Sequence, residues 1–403
     1  MRYVVMLGDG MADYAVPELG GKTPLEAAYK PSMDFLSQNG ELGLVSTLYP
    51  DMPTGSDIAN LSVLGYDPKL YYTGRSPIEA LGIGIPLKDN DTVFRCNLVS
   101  LSGEPVFDDN IMLDHSSDKI PNEEAFKLLD AVEHELGRDG RGFFRGVSYR
   151  HIMVWENIKY DYTMIPPHDI LGRRIGDYLP DGGGYPGEVL KLMKRSFEIL
   201  SGHPVNLERK KRGLKPANCI WLWGEGVKPK LKHFYDKYKL NGSVITAVPL
   251  IKGLAAGLGL KSIEVTGATG DFHTNYAGKA AAAIDALDGG ERFIFIHVEA
   301  PDECGHDGDA ALKVKSIEKI DNEILAPVMD KLESLNEDYR ILLMPDHATP
   351  LEKRTHTPDP VPYAIYEKNG KTKSRLSYNE KNAADTKVYM PRGHELMARF
   401  ING

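Results

Sequence analysis

Short runs of apolar residues alternate with longer stretches of helical periodicity along most of the chain. The apolar runs predict buried strands at 3–7, 217–223, 243–247, 292–298, 340–344 and 362–366. The helical periodicity predicts helices at 24–38, 188–201, 249–258, 275–287 and 310–334. Strands that alternate with helices in this way indicate an α/β fold, in which a parallel sheet is covered by helices on both faces.

The pattern changes between residues 85 and 187. Strand-like pieces at 93–100 and 143–155 flank a helix predicted at 122–136, and the segment ends in the turn-forming sequence DGGGYPG at 181–187. We therefore expect an inserted α+β domain over 85–187, with 1–84 and 188–403 together forming the core.

The composition is that of an ordinary soluble globular protein, with 42% hydrophobic and 26% charged residues. A net charge of −9 without long runs of like charge argues against binding to nucleic acid or to an anionic membrane. The three cysteines form no CxxC pair, which is typical of reduced thiols. Because neither a signal-peptide pattern nor a membrane-spanning apolar run is evident, the expected location is the cytoplasm.

Four groups of acidic and histidine residues stand out. Asp9 follows the first strand, HVEAPDECGHDGD (297–309) begins at the end of the strand at 292–298, and PDHATP (345–350) follows the strand at 340–344. The fourth group, RTHTPDPVP (354–362), comes just before the last strand. Ligand sites in open parallel sheets gather at the carboxyl ends of the strands, so we expect the first three groups to share one edge of one sheet.

The side chains in these groups suit a hard or borderline divalent cation, such as manganese, magnesium or zinc, because they combine carboxylates with imidazoles and include no thiolate. Asp302 and His306 are four residues apart, so one turn of helix would place them on the same face. Asp346 and His347 are adjacent and would diverge in an extended segment, which suits two separate ions. The candidate ligands are Asp9, Asp302, His306, Asp346, His347 and His356.

A hydroxyl group is available in DMPTGSDIAN at 51–60, from Thr54 or Ser56. One interpretation is a cap for a helix that begins near residue 58. The other is a nucleophile that works beside the predicted metal site.

Three of these stretches resemble the cofactor-independent phosphoglycerate mutases of the alkaline phosphatase superfamily: DMPTGSDIANLSVLGYDP, HVEAPDECGHDGD and HTPDPVP. The length near 400 residues and the TGSDxAN form resemble the branch first associated with archaea and also found in bacteria. The longer branch has its nucleophile in an NSEVGH context, which Gly55-Ser56-Asp57 replaces here.

The resemblance implies an interconversion of 3-phosphoglycerate and 2-phosphoglycerate in glycolysis and gluconeogenesis, through a phosphoserine on Ser56. It implies two divalent ions, with manganese expected, zinc, magnesium or cobalt as alternatives, and no requirement for 2,3-bisphosphoglycerate. The implied ligands are Asp9, Ser56, Asp346 and His347 for one ion and Asp302, His306 and His356 for the other.

The inserted domain would then hold glycerate and exclude water, because a mutase that admitted water would act as a phosphatase. Asp169 is the candidate acid and base between the two glycerate hydroxyls. Lys279 either reaches the phosphate or is a surface lysine. The candidates for binding the carboxylate and phosphate of the substrate are Arg75, His115, Arg150, His151, Arg173 and Arg174.

Other functions fit the same residues. A metal-dependent phosphatase or phosphonate hydrolase would use the same metal core, as would a phosphopentomutase or a homoserine-kinase-like phosphotransferase. A binding protein without catalysis is disfavoured, because all seven predicted metal-site residues are present.

Overall fold

The computed structural model describes residues 1–180 and 183–403, so Asp181 and Gly182 of the predicted linker lie outside the described residues. The chain divides into two compact units. The first consists of Met1–Tyr72 and Leu231–Gly403, and the second is Thr73–Lys230. The second unit extends beyond the insertion expected at 85–187 at both ends.

The strands in chain order are β1 (Arg2–Gly8), β2 (Glu41–Val45), β3 (Thr92–Leu101), β4 (Met112–Asp114), β5 (Arg141–Val147), β6 (Arg150–Trp155), β7 (Cys219–Val227), β8 (Gly242–Ile245), β9 (Lys261–Ile263), β10 (Phe293–Val298), β11 (Tyr339–Met344), β12 (Val361–Glu367) and β13 (Tyr389–Met390).

The α-helices in chain order are α1 (Pro24–Ala27), α2 (Pro31–Gln38), α3 (Ser56–Val63), α4 (Pro68–Tyr71), α5 (Arg75–Gly82), α6 (Asn122–Leu136), α7 (Gly184–Ser201), α8 (Pro204–Lys211), α9 (Phe234–Tyr238), α10 (Pro249–Leu258), α11 (Tyr276–Asp288), α12 (Ala300–Asp307), α13 (Ala310–Lys319), α14 (Ala326–Ser334), α15 (Glu380–Asp385) and α16 (Leu396–Asn402). A π-helical turn, Ile320–Leu325, joins α13 to α14, so the helix predicted at 310–334 is continuous. Among the described residues, none of these helices has both the length and the apolarity that crossing a bilayer requires.

The first unit is built on one sheet with the strand order β13-β2-β12-β11-β1-β10-β8-β9. Strand β1 is central and pairs in parallel with β10 on one side and β11 on the other. Val4 and Met6 of β1 lie in the same apolar cluster as Leu287 of α11, and Val5 between them is equally buried. Both faces of the strand are therefore covered, as its uninterrupted apolar sequence predicts.

Strand β12 is the exception to the predicted parallel sheet. It runs antiparallel to both of its neighbours, β11 and β2. Leu343, near the end of β11, lies opposite Ala364 of β12. Strand β12 therefore begins at the edge of the sheet where β1, β10 and β11 end, and the segment that leads into it arrives at that edge.

The prediction of a single helix at 24–38 is also wrong in one respect, because the segment forms two helices, α1 and α2. Residues 28–30 separate them, and both Ala28 (φ −68°, ψ 138°) and Lys30 (φ −139°, ψ 62°) lie outside the helical region. Residue 31 is a proline, which disfavours helical geometry in the residue before it and has no amide hydrogen to donate into a preceding turn.

The second unit is built on a five-stranded antiparallel sheet of order β4-β3-β6-β5, in which β7 also pairs with β3. The strand-like piece predicted at 143–155 is a hairpin, β5 and β6, that turns at Ser148 with a positive φ of 55°. The strand predicted at 217–223 is β7, so it belongs to this unit and not to the core. Since β7 pairs with β3, the helices α7 and α8 that precede β7 also belong here, which explains why the unit is wider than 85–187.

One buried ion pair of the first unit yields a stability prediction. Lys313 Nζ on α13 lies 2.7 Å from Asp13 Oδ2 and donates to the Thr349 carbonyl at 2.8 Å, and both charged side chains are almost fully buried. Lys313→Ala leaves the Asp13 carboxylate buried without its partner, which costs about 3–5 kcal/mol of the free energy of unfolding. Denaturant unfolding followed by circular dichroism measures the loss.

Lys315→Ala is the matched control, because Lys315 is exposed on the same helix. We expect it to change the free energy of unfolding by less than about 0.5 kcal/mol. Equal values for the two variants would contradict the role assigned to the ion pair.

Candidate functional site

The seven predicted metal-site residues come together at the carboxyl edge of the sheet of the first unit. Asp9 follows β1, helix α12 with Asp302 and His306 follows β10, and Asp346 and His347 follow β11. His356 precedes its strand instead of following it. It reaches the same edge because β12 is reversed relative to β11.

Asp9, Asp346 and His347 form one ligand group, with a ligand atom from each lying within 4.8 Å of the others. His347 Nε2 lies 3.4 Å from Asp9 Oδ1 and 3.4 Å from Asp346 Oδ2. The side chains of Asp346 and His347 therefore converge, and the prediction that they diverge is wrong. The reason is that the chain bends directly after β11 and does not continue as an extended strand.

Asp302, His347 and His356 form a second group within the same distance limit of 4.8 Å. His306 joins this group, as the four-residue spacing on α12 predicts, with its Nε2 3.2 Å from Asp302 Oδ2. Its Nε2 is also 3.1 Å from Nε2 of His356. Two imidazole nitrogens at this distance must share a proton or face a common cation.

Ser56 is the first residue of α3, and its side chain does not cap that helix. Its Oγ lies 3.1 Å from His347 Nε2 instead, so the hydroxyl faces the ligand groups. Thr54, the other hydroxyl considered, contributes its backbone carbonyl, which accepts a hydrogen bond from His356 Nδ1 at 3.3 Å. The geometry thus distinguishes the two hydroxyls of the 51–60 segment.

The pKa shifts in the site reflect several carboxylates buried close together, an arrangement that a cation would stabilise. Burial, and then the carboxylates Asp346 and Asp302, raise the pKa of Asp9 well above its usual value. Burial also acts to raise the pKa of Asp302, but hydrogen bonds from His306 and His356 outweigh it and hold that pKa well below the usual value. The hydrogen bond to Asp302 raises the pKa of His306 to about 9.

Metal ions fit this donor set. Asp9 Oδ1 is buried and has no hydrogen-bond partner among the described residues, although it lies 3.4 Å from a ring nitrogen of His347. Buried carboxylates are ordinarily paired, hydrogen-bonded or bound to a metal. Carboxylate and imidazole ligands without thiolate are typical of manganese, magnesium or zinc sites.

Three residues that the sequence analysis did not select support the ligands. His297 Nε2 lies 2.9 Å from Asp9 Oδ2, and Asn60 Nδ2 donates to Asp346 Oδ2 at 2.7 Å. The Thr349 hydroxyl donates to Asp302 Oδ1. The signal for His297 is a histidine inside the apolar strand FIFIHV, because a buried imidazole needs hydrogen-bond partners.

Lys279 is not the surface lysine that one interpretation expected. It is 1% exposed, and its Nζ donates to the carbonyl of His297 at 2.8 Å. Burial lowers its pKa to about 8. The lysine therefore supports the end of β10.

The second unit contains a cluster of arginines around Glu79. Arg75 Nε lies 2.7 Å and Arg95 Nε 3.1 Å from the two carboxylate oxygens of Glu79. Burial raises the pKa of Glu79, but Arg95, Arg75 and Arg150 together hold it below its usual value. Guanidinium groups gathered in this way suit an anionic ligand. Arg95 was not among the predicted residues.

A group of rings lies near Arg150, whose guanidinium is 5.0 Å from the centre of the Tyr149 ring. The His115 ring is 5.7 Å from that of Tyr149 and 6.0 Å from that of His168. His168 Nε2 is 3.7 Å from Asp169 Oδ1. Tyr149 and His168 thus link three of the predicted residues, and burial lowers the pKa of His115.

The remaining candidates in this unit have other surroundings. His151 follows Arg150 on β6 and points to the opposite face, where its Nδ1 accepts from the Gly146 amide at 3.1 Å. Burial, and then Arg145, lower the pKa of His151 to about 4. Arg174 lies 2.6 Å from Asp109 and 3.0 Å from Asp177, and Arg173 donates to the Tyr178 hydroxyl at 2.9 Å.

Comparison with known proteins gives concordant matches. Residues 37–206 match the family model described as 2,3-bisphosphoglycerate-independent phosphoglycerate mutase. A protein of that name from Methanosarcina barkeri is 43% identical over 100% of this chain and 99% of its own length. A probable enzyme of the same name from Geobacter sulfurreducens is 44% identical, with both chains covered in full at 100%.

A solved structure is also similar. The structure of a Pyrococcus horikoshii protein matches with a TM-score of 0.83 and 29% identity, covering 100% of this chain and 96% of that one. The similarity extends through both units.

The raised pKa of Asp9 yields a prediction for the metal-free protein. A carboxyl whose pKa is raised by folding contributes stability at low pH and loses it as the pH rises through the raised value. In excess chelator at about pH 8, Asp9→Asn is therefore expected to increase the free energy of unfolding, by on the order of 1–3 kcal/mol. In excess Mn²⁺ we expect the order to reverse, because the wild-type chain then gains more binding energy. Thermal melts of both proteins in both conditions measure this, and an unchanged order would contradict it.

Proposed function

The chain belongs to the 2,3-bisphosphoglycerate-independent phosphoglycerate mutase family, and from this membership we propose that Ser56 carries the phosphoryl group between the two glycerate oxygens. The reaction is the interconversion of 3-phosphoglycerate and 2-phosphoglycerate, without 2,3-bisphosphoglycerate. The observation that carries the proposal is the position of Ser56 Oγ, at the start of α3 and 3.1 Å from His347 Nε2.

We assign two divalent ions to the site, with manganese as the expected metal. Asp9, Ser56, Asp346 and His347 would hold one ion. Asp302, His306 and His356 would hold the other, close to His347. Bound ions of this kind act as Lewis acids, which favour the alkoxide of a coordinated hydroxyl and neutralise charge on a transferring phosphoryl group.

The chain's own groups then carry out two transfers. In the first, Ser56 Oγ attacks phosphorus as the alkoxide, its proton having gone to solvent beforehand; an Oγ–P bond forms and the bond from phosphorus to the glycerate oxygen breaks. The glycerate oxygen takes a proton from Asp169. In the second, Asp169 removes the proton from the other glycerate hydroxyl, and that oxygen attacks the phosphoserine and restores Ser56.

The start of α3 contributes to binding the phosphoryl group. The first amides of a helix lack intrahelical partners, and the helix dipole favours negative charge at that end. Ser56 is the first residue of α3, so its hydroxyl and the phosphoryl group it accepts lie at the positive end of the helix.

The second unit would bind the charged groups of the substrate. Arg75 and Arg95 contact the carboxylate of Glu79 and Arg150 adds positive charge near it, and guanidinium groups suit the carboxylate and phosphate of phosphoglycerate. His115 is a further candidate, because its Nδ1 is buried without a hydrogen-bond partner among the described residues.

We further propose that the reaction serves glycolysis and gluconeogenesis in the cytoplasm. The three cysteines are buried and unpaired, which suits a reducing compartment.

Ser56→Ala tests the nucleophile. Loss of Oγ removes the atom that accepts the phosphoryl group, so we expect kcat to fall by at least about 10³-fold. The measurement is a coupled assay of 3-phosphoglycerate conversion with Mn²⁺ and without 2,3-bisphosphoglycerate, with free phosphate monitored in parallel. Thr54→Ala, which removes the neighbouring hydroxyl, is expected to retain kcat within about threefold.

Retained turnover in Ser56→Ala would refute the assignment. Release of free phosphate without isomerisation by the wild-type chain would indicate a hydrolase instead of a mutase.

Arg150→Met tests the arginine cluster. Removing a charged donor to the substrate should lower kcat/KM by about 10–150-fold, mainly through KM, because charge-assisted hydrogen bonds contribute about 1.5–3 kcal/mol. Arg195→Met is the control, because Arg195 is an exposed residue of α7 that lies 2.5 Å from Glu198. Equal kinetic constants for the two variants would remove Arg150 from the substrate site.

A further inference from the structure

His297 stands where an apolar residue would be expected, in the middle of the buried sheet. It lies in β10, directly opposite Leu7 of β1, and its side chain is fully buried. Asp9 is two residues beyond Leu7, and alternate residues of a strand point to the same face. The amide of Asp9 donates to the carbonyl of Val298 at 2.9 Å, so the paired geometry continues to Asp9. The strand register thus brings the ring of His297 to the carboxylate of Asp9.

The two ring nitrogens of His297 have fixed roles. As a metal ligand Asp9 must be ionised, and an ionised carboxylate only accepts hydrogen bonds. His297 Nε2, which is 2.9 Å from Asp9 Oδ2, therefore carries the hydrogen. The Thr246 hydroxyl lies 3.2 Å from Nδ1, and its oxygen already accepts from the Val248 amide at 3.0 Å. Its own hydrogen is free to donate to Nδ1, which keeps the tautomer with hydrogen on Nε2.

The bond to His297 leaves the two oxygens of Asp9 unequal. Oδ2 is occupied by the imidazole, whereas Oδ1 has no hydrogen-bond partner among the described residues. Oδ1 is also the oxygen near the ligand group, 3.4 Å from His347 Nε2. A ring that holds Oδ2 in place therefore decides which oxygen of Asp9 is available.

We propose that His297 is a positioning residue for the metal ligand Asp9: it holds Oδ2, presents Oδ1 to one divalent ion, and is itself oriented by Thr246. This inference rests on the proposed function, since it takes Asp9 to be a ligand. Partners that orient a metal ligand typically change metal affinity by about 10–100-fold when they are replaced.

The experiment compares two amide replacements of the same ring. The amide of glutamine reaches the position of Nε2 and can still donate to Asp9, whereas the amide of asparagine reaches only the position of Nδ1. Each replacement is made in an Asp302→Asn background, so that Mn²⁺ titration by calorimetry reports the Asp9 ion. His297→Asn is expected to weaken Mn²⁺ binding by about 10–100-fold, and His297→Gln by less than about threefold.

Thr246→Val is the second test, because it leaves the imidazole in place and removes only the hydroxyl that fixes its tautomer. It should weaken Mn²⁺ binding in the same direction as His297→Asn, by at least about threefold. Melting temperatures in chelator control for general damage to the fold, and a specific positioning role predicts similar values for His297→Asn and His297→Gln.

Equal Mn²⁺ affinity in His297→Asn and the parent, or equal weakening by the asparagine and glutamine variants, would overturn the inference, as would unchanged affinity in Thr246→Val. Failure of the wild-type chain to bind Mn²⁺ at all is a different result. It would overturn the proposed metal centre and this inference with it.

Discussion

Three carboxylates buried together at one edge of a sheet repel one another, and much of the first unit is arranged around that repulsion. Asp9, Asp302 and Asp346 are each at most 4% exposed. Ring nitrogens of His306, His347 and His356 lie within 3.5 Å of these carboxylates, and Asn60, Thr349 and His297 donate hydrogen bonds to them. Without a cation, a cluster of this kind lowers the free energy of unfolding. When a cation binds to it, the cluster raises the free energy of unfolding instead. The stability of the fold and the affinity of the site are thus set by the same atoms.

The location of the site could be predicted from the sequence because it follows from strand ends. Asp9, Asp302 and Asp346 each follow an apolar run, and parallel strands bring their carboxyl ends to one edge. His356 could not be placed by that rule. The direction of β12 depends on its pairing with β11 and β2, and the sequence of β12 itself does not indicate that direction. The convergence of Asp346 and His347 depends on a bend after β11, which is equally invisible in the local pattern.

The boundary of the second unit was missed for a related reason. The sequence of β7 has the same apolar pattern as the strands of the core. In the structure, however, β7 pairs with β3, which lies more than a hundred residues earlier in the chain. Arg95 was overlooked because a single arginine in β3 carries no signal until Glu79 and Arg75 are seen beside it. Side chains that act through distant partners are those that a single sequence identifies least well.

The central position of β1 has a consequence for synthesis on the ribosome. This strand is synthesised well before both of its neighbours, because β10 and β11 begin only at Phe293 and Tyr339. At translation rates of about 5–20 residues per second, β1 is without a partner for on the order of 15–60 s. During that time the apolar run at 3–7 has unpaired strand edges and is exposed to other nascent chains. A chaperone that shields this segment would have its largest effect in that interval.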